Sequence, residues 1–86
     1  MKSLGEVKVG ERVIIKKLNG GKDFTYRVAA LGFTLGAVIT VLRNYGRGPV
    51  IVALRDSRVA LGRGEATKVL VEMENDERAE RAERAE

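Results

Sequence analysis

Residues 37–54, Ala37-Val38-Ile39-Thr40-Val41-Leu42-Arg43-Asn44-Tyr45-Gly46-Arg47-Gly48-Pro49-Val50-Ile51-Val52-Ala53-Leu54, hold two runs rich in β-branched and aliphatic side chains. Side chains branched at Cβ keep their preferred rotamers on a pleated strand and lose freedom in a helix. Each run is of strand length, and Tyr45-Gly46-Arg47-Gly48 between them supplies two glycines able to take the positive φ angles of a hairpin loop. The stretch therefore reads as a central hairpin, and the same pattern of short Val/Ile runs punctuated by glycine extends in both directions.

Toward the N-terminus, residues 12–18, Arg12-Val13-Ile14-Ile15-Lys16-Lys17-Leu18, read as a first strand that Asn19-Gly20-Gly21 ends. Residues 23–31 change period. Phe24, Val28 and Leu31 fall at spacings of four and three, which lines one face of a short helix against a core. Asp23 is expected to cap its N-terminus, and Gly32 stands where a left-handed C-terminal cap wants a residue without Cβ. Toward the C-terminus, Arg55-Asp56-Ser57 reads as a tight turn into a strand over 58–61. The segment Gly62-Arg63-Gly64 separates that strand from a last one over 68–72. Five short strands and one short helix after the first strand predict an all-β chain folded as a small closed or half-closed barrel. That form limits exposed sheet edges better than an open sheet of this size.

Eighty-six residues, 44% of them hydrophobic, suffice for one core and not for two. A core this small contributes only about 3–5 kcal/mol, and natural mini-domains often add a disulfide, a metal or a partner. With no cysteine and no histidine, disulfides and the usual structural zinc ligand sets are excluded, while oligomerisation stays open. The start of the chain has no apolar run of signal-peptide length, and no stretch approaches the roughly 20 apolar residues of a membrane span, so a cytoplasmic protein is expected.

The net charge of +4 is unevenly spread. Residues 74–86 carry Glu74, Asp76, Glu77, Glu80, Glu83 and Glu86 against Arg78, Arg81 and Arg84, which leaves residues 1–73 more basic than the whole. A basic body suits an acidic partner surface, a nucleic acid or an anionic membrane, and equally serves solubility alone. Residues 77–86 repeat Glu-Arg-Ala three times and end in glutamate; Glu77 with Arg81 and Glu80 with Arg84 support a helix at i,i+4. Ten residues with no bulky apolar anchor are too few for a persistent isolated helix, so 74–86 are expected to be a charged, flexible or frayed tail beside a domain over 1–73.

No active site is legible. There is no histidine or cysteine to serve as base or nucleophile, and the body's carboxylates, Glu6, Glu11, Asp23, Asp56, Glu65 and Glu72, lie scattered at turns and strand ends. None falls at a spacing that would converge two of them on a hard metal ion. Gly20-Gly21-Lys22 lacks the upstream glycine of a phosphate loop and continues with Asp23 where a hydroxyl would hold magnesium. Gly46-Arg47-Gly48 lacks the third glycine and the strand-to-helix setting of a dinucleotide fingerprint. The chain is thus expected to be no enzyme and to hold no cofactor. A basic barrel binding nucleic acid is the alternative, with Tyr45 between Arg43 and Arg47 either a base-stacking platform or an ordinary loop residue.

The segment Arg27-Val28-Ala29-Ala30-Leu31-Gly32-Phe33-Thr34-Leu35-Gly36 resembles the helix-and-turn signature of FeoA-like domains, an arginine, helical residues, Leu-Gly-Phe, two residues and glycine. Ser3-Leu4, Val9-Gly10-Glu11, Asn19-Gly20-Gly21, Gly48-Pro49-Val50, Val59-Ala60-Leu61 and residues 66–71 follow in the family's order, so the likeness spans about residues 3–73. Leu35 stands where proline is commoner, and the Glu-Arg-Ala tail has no family counterpart. The resemblance implies an SH3-like barrel without catalytic activity. It further implies a role in bacterial ferrous-iron transport beside FeoB, the membrane transporter with a cytoplasmic GTPase domain, so a protein partner rather than nucleic acid. Candidate partner contacts are Arg27, Leu31, Gly32, Phe33 and Leu35 at the helix end, and Arg43, Tyr45 and Arg47 in the hairpin. Phe33 and Leu35 have two readings, core plug or outward apolar contact, because one of two near neighbours across a turn usually points away from the core.

Overall fold

A computed structural model describes residues 1–74 of the chain. In chain order these residues form β1 (Lys2–Ser3), a 3-10 turn (Leu4–Glu6), β2 (Arg12–Leu18), α1 (Gly21–Ala29), β3 (Val38–Arg43), β4 (Val50–Leu54), β5 (Ser57–Leu61), α2 (Arg63–Ala66) and β6 (Val69–Met73). All strand neighbours are antiparallel, in the order β1-β6-β2-β3-β4-β5. The expected central hairpin is β3 and β4, with Val41 opposite Val52 and Thr40 opposite Ala53. Buried and half-buried positions alternate along both strands, so one face of the sheet meets the core.

The count of five strands is corrected to six. The added strand, β1, has only two residues, paired at Lys2 with Val71 and Ser3 with Leu70, and so short a piece carries no alternation to read. The helix α2 was likewise invisible, being one turn set among glycines. The sheet is bent by a bulge between Ile15 and Lys17 where β2 meets β6, and by another between Val41 and Arg43 where β3 meets β4. Edge strands β1 and β5 do not pair with each other, so the sheet curls around the core as a half-closed barrel. One cluster forms that core, with side chains from β2 to β6, from α1 and α2, and from Leu4 and Val7.

The helix departs from expectation at both ends. It begins at Gly21, two residues before the expected Asp23 cap; Gly20 takes the N-cap position, no side chain caps the end, and Asp23 sits in the first turn. Gly20 is required by space, since a Cβ there would come within 2.5 Å of the Phe24 ring. At the other end Gly32 has φ +100°, the left-handed cap expected of it. Its N–H donates to Ala29 O at 2.9 Å and that of Phe33 to Val28 O at 3.0 Å, the paired bonds of a Schellman motif.

This reversal explains a second correction. Phe24 and Val28 are buried as expected, but Leu31 is 47% exposed. Leu31 lies beyond the helix, just before the chain turns back at Gly32, and Phe33 swings into the core in its place. Phe33 is fully buried, so its side chain belongs to the core and forms no outward contact.

Glu74, placed with the tail on sequence, is tied to the body. Arg12 Nε donates to its Oε1 at 3.2 Å. The rest of the Glu-Arg-Ala tail, with its Glu77–Arg81 and Glu80–Arg84 pairs, lies outside the described residues.

Candidate interaction site at the helix corner

Helix α1 ends on two small residues, Ala29 and Ala30, then Leu31, Gly32, Phe33, Thr34 and Leu35. The tight reversal at Gly32 needs both the positive φ and an open Cβ position, because a methyl there would lie 2.6 Å from Leu54 Cδ2. With Phe33 drawn inward, the corner leaves its two leucines outside, Leu31 at 47% and Leu35 at 66% exposure. A shallow depression beside them is lined by Ala29, Leu31, Gly32, Leu54, Arg55 and Ser57. It is a concavity of mixed lining, with Leu31 and Leu54 beside the polar Thr34, Arg55 and Ser57, and a partner's side chain is commonly received in such a hollow.

The remaining candidates are arranged differently. Arg27 is held by Glu65 of α2, its Nε donating to Oε2 at 3.0 Å, and its guanidinium lies 5.9 Å from the centroid of the Phe24 ring. Lys68 approaches the same ring at 5.6 Å, so two cations lie over a buried aromatic. Arg27 therefore has a structural occupation that joins helix to helix. Arg43 Nη1 donates to Tyr45 Oη at 3.3 Å, which links those two at the start of the hairpin loop while Tyr45 stays 74% exposed. Arg47, in the same loop, is exposed.

Sequence reasoning missed Asn44 and Arg63, which join the turn after β1 to the loop between β3 and β4. Asn44 Nδ2 donates to Gly5 O at 2.9 Å and Val7 O at 2.7 Å, and its Oδ1 accepts from the Gly46 N–H at 3.1 Å. Arg63 donates from Nη2 to Asn44 Oδ1 at 2.8 Å, from Nη1 to Gly5 O at 3.0 Å and from Nε to Gly48 O at 3.0 Å. Six bonds thus converge on the turn after β1 and the β3–β4 loop. An arginine between two glycines, followed by one helical turn, was the only trace of this in the sequence.

Among the described residues no three carboxylates converge into a set that could hold a metal ion. Ferrous iron and zinc are expected to leave the melting temperature unchanged, since a ligand held by the folded state stabilises it by mass action. A saturable rise of several degrees in a metal titration would show that a site exists.

The FeoA domain family matches residues 2–73. The putative Fe(2+) transport protein A of Methanocaldococcus jannaschii is 40% identical over 72 residues, covering 84% of this chain and 87% of that protein. A fusion of Fe(2+) transport protein A and Fe(2+) transporter FeoB from Porphyromonas gingivalis is 34% identical over 71 residues, 81% of this chain but only 8% of the fusion. Among solved structures, an iron uptake regulatory protein FeoA superposes with a TM-score of 0.76 at 32% identity, covering 83% of this chain and 93% of that one. The zinc-complexed FeoA of Stenotrophomonas maltophilia, described as a procaryotic SH3 domain protein, superposes with a TM-score of 0.68 at 23% identity, over 84% and 91%, a likeness of fold. The match across nearly all of the described body, at these identities and with the SH3-like fold shared, shows that the chain belongs to the FeoA family, the accessory proteins of ferrous-iron transport.

Proposed function

We propose that the chain is a non-enzymatic, cytoplasmic accessory protein that docks on the cytoplasmic GTPase domain of a FeoB-type ferrous-iron transporter. The observation that carries this reading is the pair of leucines left outside the core at the α1 corner, Leu31 and Leu35, with the depression beside them. Apolar anchors seated at a small pocket contribute most of the energy at protein interfaces. Two further facts support the choice of partner. The fusion relative carries an FeoA region and FeoB in a single chain, so there the two are held at high effective concentration. Among the described residues no helix is long and apolar enough to cross a membrane, so work at a transporter calls for a docking surface.

Leu35→Glu tests the reading. The side chain already faces outward, so the carboxylate stays hydrated in the free protein and must be stripped of water in the complex. Binding to the transporter's cytoplasmic domain, measured by calorimetry, should weaken at least tenfold, about 1.4 kcal/mol, with the melting temperature close to that of the parent. Unchanged affinity would place the docking surface elsewhere, on the Arg43, Tyr45 and Arg47 hairpin before any other.

A further inference from the structure

The outermost strand, β5, presents a free main-chain edge. Its pairing with β4 runs from Leu54 opposite Ser57 to Val50 opposite Leu61, across the two-residue turn Arg55-Asp56. In such a hairpin the residues flanking the turn exchange hydrogen bonds, and bonded pairs then alternate with non-bonded ones. Ser57, Val59 and Leu61 therefore bond to β4, while the N–H and C=O groups of Arg58 and Ala60 point away from the sheet. No loop hydrogen bond among the described residues reaches those groups. Arg58 and Ala60 are both exposed, so nothing in the described chain covers this edge.

We infer that the edge of β5 receives an extended, acidic segment of the partner as an added antiparallel strand. The inference rests on the docking reading above and specifies its form. Charge selects the occupant: Arg58 on the strand and Arg55 in the turn before it are exposed, and among the described residues neither is in an ion pair. Asp56, in the turn between them, is the nearest carboxylate in sequence. A second copy of this chain is a poor occupant, because antiparallel pairing about Val59 would set the two Arg58 side chains diagonally, about 7–8 Å apart on one face. Carboxylates on an incoming strand would meet the same arginines favourably. Arg55 in the turn and Ser57 at the start of β5 also line the depression at Leu31 and Leu54, so an apolar side chain on the added strand would drop into it. Main-chain bonds would give the segment its affinity, and that pocket with the two arginines its selectivity.

The test is amide hydrogen exchange by NMR on the full chain, free and bound to the transporter's cytoplasmic domain. The Arg58 and Ala60 amides should exchange freely in the isolated protein and gain at least tenfold protection in the complex, while those of Val59 and Leu61, already bonded to β4, change little. Ala60→Pro removes an outward donor without touching a β4 bond, and edge positions tolerate proline. It should keep the parental melting temperature and bind at least tenfold more weakly. Should that variant fail to fold, the exchange pattern of the parent decides alone. A complex that forms and is weakened by Leu35→Glu, yet leaves Arg58 and Ala60 unprotected, overturns the added strand and leaves the docking reading standing. Absence of any complex removes both. Protection of the two amides in the free protein that grows with its concentration would show self-pairing and overturn the acidic occupant.

Discussion

Truncating Phe33 to alanine is expected to leave most of the protein unfolded at room temperature. The side chain is fully buried in the single core, the largest of those wholly removed from solvent. A Phe→Ala change at such a site costs about 3–5 kcal/mol in lost transfer energy and residual cavity. A domain of this size draws about the same from its entire core. The ring is also the hydrophobic partner that accompanies the Schellman turn, against Val28, so its loss loosens the corner that exposes Leu31 and Leu35. Leu31→Ala is the control. With half its surface already in water it should cost only about 1 kcal/mol, a melting shift of roughly 4–8 °C in a domain this small. Circular dichroism against urea and temperature separates the two. A Phe33→Ala variant that melts within a few degrees of the parent would mean that the core closes over the hole.

That contrast between neighbours shows where the sequence was informative and where it stopped. Glycine punctuation and β-branched runs placed β2 to β6 within a residue or two, because a half-buried strand repeats every second residue and its turns need special residues. The 3.6-residue period correctly buried Phe24 and Val28. It failed at Leu31, since a left-handed residue at Gly32 breaks the helical register and hands the core position to Phe33. A cap can be read from a glycine; which of the side chains around it turns inward depends on the direction in which the chain leaves. Arg27 illustrates a different limit. Its place in the signature drew attention to partners, yet its guanidinium is engaged by Glu65, a residue 38 positions away whose proximity only the folded chain creates. Asn44 and Arg63 fall in the same class, with contacts at separations of 37, 39, 15, 58 and 19 residues.

The seam those two residues form leads to the second large effect, expected from Arg63→Ala. Three donors of one guanidinium reach Asn44 Oδ1, Gly5 O and Gly48 O, so a single side chain on α2 ties the turn after β1 to the loop between β3 and β4. One lies beside edge strand β1 and the other joins the interior strands β3 and β4, so the bridge spans a sheet whose edge strands do not pair. Hydrogen bonds from a charged donor contribute about 1.5–3 kcal/mol each when well shielded. Here Gly5 O keeps Asn44 Nδ2 as a second donor, and the bond to Gly48 O is exposed to water, so the sum is smaller, about 1–3 kcal/mol. Against a total of about 3–5 kcal/mol that is severe. Arg63→Lys sharpens the test, because an ammonium keeps the charge but lacks the planar fork that spans three acceptors at fixed angles. Lysine should recover little of the loss, and the Gly5 and Gly46 amide resonances should shift in both variants. If Arg63→Lys melts with the parent, charge alone suffices at the seam; if Arg63→Ala does so as well, the barrel is held shut by its core, and the polar bridge is a consequence of closure, not a cause.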